Sequence, residues 1–206
     1  MKNISPVIRR AAQSILILCL CMLTIHSALA QETTLHYTVK KGEKNIGTFT
    51  VVETSNGIAK TIKLVSHIKT SFVFAVSVDA AEESHFKNGI LNKSSVYRKV
   101  NGDEKLNKQH SYSGNGYVIC NKRQKDSVCC ISISYNLMCL YNTEPVSISK
   151  VYSDNFQQFL AVKPLGNNIY RIDMPDGNYN IYHYQKGRCV KVDIHHSLYT
   201  ITMQLT

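Results

Sequence analysis

From Gln31 onward the chain alternates apolar and polar residues with a period of two. Leu35, Tyr37 and Val39 fall on one face of an extended segment, and Phe72, Phe74, Val76 and Val78 on another. Tyr170, Ile172 and Met174 alternate with Arg171 and Asp173. Val190, Val192 and Ile194 alternate with Lys191, Asp193 and His195. The last segment is the cleanest, with Tyr199, Ile201, Met203 and Leu205 set against Thr200, Thr202 and Gln204. This period marks strands that turn one face to a core and the other to water. No long stretch shows a helical period.

The breaks in the pattern carry turn chemistry. They include Gly42-Glu43, Asn56-Gly57, Asn88-Gly89, Asn101-Gly102, Gly114-Asn115-Gly116, Asn167-Asn168, Pro175-Asp176-Gly177 and Lys186-Gly187. Asn and Gly both tolerate the positive φ that a tight hairpin of the right twist requires. Regular spacing of such turns predicts an antiparallel meander. A meander of ten or so long strands curls under its own right-handed twist. The expected fold is therefore all-β, a meander curled into an open or incomplete β-barrel. A two-sheet sandwich is the alternative. A short helical or irregular segment is expected around 131–160, with helical turns near Tyr135–Tyr141 and Ser153–Leu160, lying across the concave face or one end.

Residues 1–30 read differently. Lys2, Arg9 and Arg10 lead into an apolar run from Ile15 to Ile25, which ends at Ala28-Leu29-Ala30. That is the pattern of a cleavable secretory signal. The run is shorter than the ~20 residues that cross a hydrocarbon core. Cys19 and Cys21 follow leucines rather than the small residue that precedes an acylated cysteine. The expectation is a signal peptide over 1–30 and one all-β domain over 31–206, exported to the periplasm or cell envelope of a Gram-negative bacterium, with no transmembrane span after cleavage. Cleavage lowers the formal net charge from +10 by three, to +7. The basic residues are scattered over several turns, so the charge reads as a solvated surface. Nucleic acid is not an expected partner, because no helix concentrates the charge.

Five cysteines follow the signal: Cys120, Cys129, Cys130, Cys139 and Cys189. Export permits disulfides, and a bridge is a candidate among Cys120, Cys129, Cys130 and Cys139. The spacing fits no zinc site. Ser147-x-x-Lys150 and Ser153-Asp154-Asn155 match two motifs of penicillin-binding enzymes, but the third, Lys-Thr-Gly, is absent and the two stand too close together. They read as a polar turn. Asp193 and His195 share a strand face while His196 points away, which reads as a solvent-facing strand end. Glu82 and Glu83 are adjacent on a strand and diverge. No catalytic, metal-ligating or cofactor-binding residue is assigned. The aromatic content is more suggestive, and Tyr170, Tyr182, Tyr184 and Tyr199 are candidate ligand-lining residues for a lipid or sugar. Ordinary cross-strand packing of the same rings is the competing account.

Leu140-Tyr141-Asn142-Thr143-Glu144-Pro145, Val162-Lys163-Pro164-Leu165-Gly166-Asn167-Asn168-Ile169-Tyr170 and Met174-Pro175-Asp176-Gly177-Asn178, with Tyr182 and Tyr184 beyond, carry a resemblance. The hairpins at Gly42–Thr48 and Phe86–Leu91 agree with it. The chain resembles a family of exported Gram-negative proteins classed as a domain of unknown function. That resemblance implies a large antiparallel sheet curled into an incomplete barrel, similar to the fold of a capsule-operon lipoprotein of the outer envelope. It implies no reaction and no catalytic residues, and the cysteines depart from its pattern. The expected function is a non-enzymatic envelope protein that binds an apolar or amphipathic ligand, lipid or glycolipid, on its concave sheet face. The alternative is a structural or assembly partner of an envelope protein or of surface-polysaccharide machinery. An enzyme ranks last.

Overall fold

A computed structural model describes residues 30–71, 75–121 and 124–206. Residues 1–29 of the expected 1–30 signal lie outside the described residues, as do Phe72 and Phe74. So do Lys122 and Arg123.

Residues Gln31–Thr206 form one compact unit. Its strands are β1 (Gln31–Lys41), β2 (Lys44–Ser55), β3 (Ala59–Ser71), β4 (Ala75–Lys87), β5 (Ile90–Val100), β6 (Asp103–Tyr112), β7 (Gly116–Asn121) and β8 (Gln124–Cys129). After an internal segment come β9 (Lys150–Ser153), β10 (Gln158–Gly166), β11 (Ile169–Asp173), β12 (Tyr179–Gln185), β13 (Arg188–His196) and β14 (Tyr199–Leu205). They make one 14-stranded antiparallel sheet, ordered β8 to β1 and then β14 back to β9. The register between first and last strands sets Tyr37 against Leu205 and Val39 against Met203. The sheet is curled and not closed, because β8 and β9 end the order without pairing to each other. The all-β, incomplete-barrel expectation holds, and the sandwich does not.

The turn signals do what their chemistry requires. Asn88 and Gly89 adopt φ of 50° and 76°, and Asn101 and Gly102 adopt 51° and 86°. Positive φ at both central residues matches the turn twist to the strands. The 131–160 expectation is half right. Leu137–Tyr141 is a 3-10 turn. Ser153–Leu160 is not helical: it is the end of β9, a tight turn with Gln157 N–H donating to Ser153 O (2.7 Å), and the start of β10. The strand period continues on both sides of that short turn, and the turn hides it from a window of helical length.

Alternation places one face of every strand inward. Leu35, Tyr37 and Val39, then Ile62 and Leu64, then Val192, Ile201 and Met203 are buried on it. The turns fall at two ends. One end carries the turns at Asn56-Gly57, Asn88-Gly89 and Lys186-Gly187, and the internal segment both leaves β8 and enters β9 there. The other carries Gly42, Asn101-Gly102 and Leu198. β3 and β4 have 13 residues each, whereas β9 has four. The long strands therefore overhang the short side of the curl.

Gly47 is one of two very close backbone approaches in this wall, the other being Gly116. Gly47 opposes Ile68, and a Cβ there would lie 2.2 Å from His67 O and 2.8 Å from Ile68 Cα. Neither neighbour is a side chain that can move aside. Gly47→Ala is expected to lower the unfolding free energy by about 2 kcal/mol, the scale of overpacking, as read from urea denaturation of the mature chain.

Candidate functional site

The internal segment fills the half of the concave face nearest its own ends. Ile133, Met138, Cys139, Leu140 and Tyr141 are all buried. Its backbone cannot pair as a strand throughout, so other groups satisfy it. Leu91 N–H donates to Ile133 O (2.7 Å) and Tyr152 N–H to Tyr135 O (3.0 Å). Tyr117 receives the Ile133 N–H on its hydroxyl (3.1 Å) and donates to Leu91 O (2.8 Å). Tyr184 donates to Leu140 O (2.7 Å). Glu144 N–H reaches Gly187 O (3.0 Å). Buried backbone groups left unpaired would each cost a few kcal/mol, so these hydroxyls are what make an irregular segment tolerable inside a barrel.

A polar hub lies beneath it. Asn136 Nδ2 donates to Ser84 Oγ (2.8 Å) and Asp154 Oδ2 (2.9 Å). Ser94 Oγ donates to Asp154 Oδ1 (2.5 Å). His110 is fully buried, with Nδ1 3.7 Å from Asp154 Oδ1, beyond hydrogen-bonding reach. Its ring meets Tyr152 edge-on at 6.0 Å. Both His110 nitrogens and the Tyr152 hydroxyl lack a partner among the described residues. Burial holds the His110 pKa below its ordinary value, the Asp154 charge opposes that, and Lys108 reinforces it. Serine, histidine and aspartate meet here, but not as a nucleophile set. Ser94 donates to the carboxyl rather than to the imidazole, and the group is sealed from solvent. The chemistry on show is that of a latch.

Past the internal segment the concave face is uncovered. Tyr141 marks the boundary, its ring 5.0 Å from Phe49, 5.9 Å from Tyr37 and 6.2 Å from Tyr182. Beyond it the inward residues change from buried to half-buried on β3, β4, β5 and β6, whereas Val39 and Ile46 keep the same end of β1 and β2 buried. Ile68, Val78 and Val100 form one transverse row, since Ile68 pairs with Val78 and Val78 with Val100. The next row inward is Ser66, Ala80, Arg98 and Leu106, and the one below it Leu64, Glu82, Val96 and Lys108. Ile194 and Tyr199 are half-buried on the facing side. The result is an open trough with a mainly apolar rim and one acid and two bases at its floor. Burial is the main cause that pushes the Glu82 carboxyl up to about 7; Arg98 opposes this and Asp154 adds to it. At the other end, a polar cleft of about 130 Å³ lies among Gln31, Thr33, Glu53, Ser55, Asn142 and Arg188.

The structure sorts the sequence candidates. Tyr170, Tyr182 and Tyr184 are all buried. They touch the chain's own internal segment, with Tyr170 OH donating to Glu144 Oε1 (3.0 Å). Of the four candidate tyrosines, only Tyr199 belongs to the uncovered half, where it stacks on His196 at 4.6 Å. The expected bridge among Cys120, Cys129, Cys130 and Cys139 is not formed, and all four are thiols. Cys120 lies on the outer face while Cys139 is buried inside. Cys120 and Cys129 are outward but four residues apart along the ladder, about 13 Å, too far to join. Cys129 and Cys130 are neighbours, and their thiols share a hydrogen bond. Among the described residues no three His, Cys, Asp or Glu side chains cluster as metal ligands. Asp193 accepts from His183 Nε2 (2.9 Å), Lys191 Nζ (2.9 Å) and Thr202 Oγ1 (2.8 Å), and His195 stacks on Tyr179 at 4.4 Å. Both motif serines are structural: Ser147 is exposed in the loop, and Ser153 is buried beside the hub.

Arg98, His110 and Asn136 escape the sequence reading, which sets Glu82 aside as one of two diverging acids and Asp154 as part of a polar turn. One signal for Glu82 was within reach. It occupies the inward phase of Val76, Val78, Ala80, Ser84 and Phe86, where a charge is out of place.

Fold and site together define a barrel-like all-β protein whose interior is half plugged and half open. Residues 37–206 match the family described as a domain of unknown function, DUF6134, and the chain belongs to it. Among solved structures it is similar to a beta-barrel-like protein of domain of unknown function DUF1849 from Brucella abortus. The TM-score is 0.50 and the identity 8%, covering 86% of this chain and 95% of that one. At that identity the likeness speaks for the fold alone. No curated protein matches the chain. Among the described residues no helix is long and apolar enough to cross a membrane.

Two predictions follow from the hub. Asn136→Leu strips hydrogen bonds from buried Asp154 and Ser84 together, and is expected to cost about 3 kcal/mol in urea denaturation. His110 has its folded pKa lowered, so the unfolded chain takes up the proton first. The stability it lends is complete above about pH 6.5 and is lost as pH falls below it. Relative to His110→Leu, the wild-type chain should lose about 1.4 kcal/mol per pH unit below 6.5 until the folded imidazole protonates. Unfolding curves of both proteins from pH 7.5 to 5 check this.

Proposed function

We propose that this chain is an exported, non-enzymatic envelope protein that holds an apolar or amphipathic ligand, a lipid or glycolipid, in the uncovered half of its concave face. One observation carries this reading. The Ile68–Val78–Val100 row points into the curl yet has no internal segment over it. A soluble protein with no use for such a surface covers it or makes it polar. The covered half argues for a site as well, because the buried tyrosine hydroxyls keep the internal segment from sliding over the trough. The secretory pattern of residues 1–30 supports work outside the cytoplasm.

The test is native mass spectrometry and solvent extraction of mature protein purified from an envelope fraction, together with binding of the fluorescent apolar probe N-phenyl-1-naphthylamine. A saturable site for the probe is expected. Val78→Arg should abolish it without moving the melting temperature by more than a few degrees, since Val78 is half-buried. Probe binding unchanged in Val78→Arg would overturn the trough as the site.

A second reading has its own observation. The outer edge of β8 is an unpaired strand whose residues Gln124–Ser127 are exposed. Unpaired edges accept added strands, which suits an envelope assembly partner. Photocrosslinking from position 125 in cells would capture a reproducible envelope protein on this reading and none on the first.

A further inference from the structure

The two floor rows of the trough bring an acid and a base together beneath the apolar rim. Glu82 pairs with Val96 and Ala80 with Arg98, so Glu82 and Arg98 are diagonal neighbours on the inward face of β4 and β5. Diagonal cross-strand side chains of this length reach one another. Both are half-buried. Among the described residues of its row, Ser66, Ala80 and Leu106, Arg98 carries the only positive charge. The next base, Lys108, is turned aside to donate to Asn155 O (2.5 Å). One row toward the rim lie Ile68, Val78 and Val100, about 6.6 Å away along the strands.

From this juxtaposition we propose that the open trough binds a single acyl chain ending in a carboxylate, with its head on Arg98 and its chain on the Ile68–Val78–Val100 row, and that Glu82 gates the site by competing for the same guanidinium. The inference rests on the trough reading above and adds the headgroup and its control. A guanidinium fork grips a carboxylate in two parallel bonds, and a single available cation suits a monoanion better than a doubly charged phosphate. Glu82 sets the condition. When ionised it occupies Arg98 itself and repels an incoming anion; when protonated it does neither.

The groups that face Glu82 decide where that switch falls. Arg98 on β5 favours the ionised form, and Asp154 in the β9–β10 turn disfavours it. The Tyr141 and Tyr182 hydroxyls, close enough to feel its charge, stay neutral because burial raises both. Lys108 shares the row but is drawn toward Asn155. Desolvation dominates and brings the transition to about 7. Glu82 is then mostly protonated at pH 6 and mostly ionised at pH 8. If only the protonated form accepts the ligand, affinity falls about tenfold over that interval.

The test compares dodecanoate with dodecan-1-ol, which share a chain and differ in the head, by isothermal titration of the mature protein. Dodecanoate should bind about tenfold tighter at pH 6 than at pH 8, and dodecanol equally at both. Glu82→Gln should lift the affinity for dodecanoate at pH 8 to the pH 6 value. Arg98→Gln should lose at least tenfold for dodecanoate and nothing for dodecanol, so dodecanol binding also certifies that each variant is folded. If dodecanoate binds without pH dependence, or as well in Arg98→Gln, the headgroup and gate are overturned while the apolar trough stands. If neither probe binds the wild-type protein at either pH, the trough falls and the gate with it.

Discussion

The structure depends on one constraint: a curled sheet whose two ends do not pair must be closed by something that is not a strand. Here that something is the segment between β8 and β9. It is drawn into the curl by apolar side chains and held there by hydrogen bonds from buried tyrosine hydroxyls and Asn136. The apolar contacts are non-directional and would tolerate many positions of the segment. The hydrogen bonds are directional and tolerate one. Tyr117 and Tyr184 each offer a large apolar ring and one polar tip, which suits a place where a core must also satisfy a stretch of backbone. Tryptophan is absent from the chain and tyrosine occurs twelve times. That balance fits a core which must supply hydroxyls that both donate and accept.

The same arrangement divides the interior. Where the segment lies, the concave face is dry and fully occupied. Where β3, β4 and β5 run past it, inward residues are left half-covered and a charged pair is stranded at the boundary. The two halves respond to pH with opposite sign. Buried His110 resists protonation and so favours folding at higher pH, whereas half-buried Glu82 resists ionisation and favours folding at lower pH. Just below about pH 6.5, where the unfolded histidine protonates and Glu82 is still titrating, these contributions oppose each other. A flat stability profile in that range is compatible with large and cancelling local effects.

Much of the fold was legible because two local signals agree. The period-two pattern at Leu35–Val39 and Tyr199–Leu205 fixes which side chains face inward, and the Asn-Gly turns fix where each strand reverses. Curling then follows from twist and strand number. The interior was not legible to the same degree. Nothing in the spacing of Ser94, His110, Asn136 and Asp154 joins them, because they come together only once β5, β6 and the internal segment are curled around a common axis. The tyrosines misled for a related reason: strand phase shows that Tyr182 and Tyr184 face inward, but not that the chain itself fills the space before them. The cysteine candidates could not be sorted from spacing either, since Cys120 lies on the outer face of β7 and Cys139 is buried in the turn of the internal segment.

The central claim is that the internal segment is a fixed part of the barrel rather than a cover that comes and goes. Native-state hydrogen exchange of the mature protein tests it most directly, at the amides of Ile133, Cys139 and Tyr152. The account predicts that they exchange only through global unfolding, with the same denaturant dependence as Val51 and Leu64 in the central strands. Exchange at those amides a hundredfold faster than at Val51 and Leu64, and insensitive to denaturant, would show a segment that opens on its own and would contradict it.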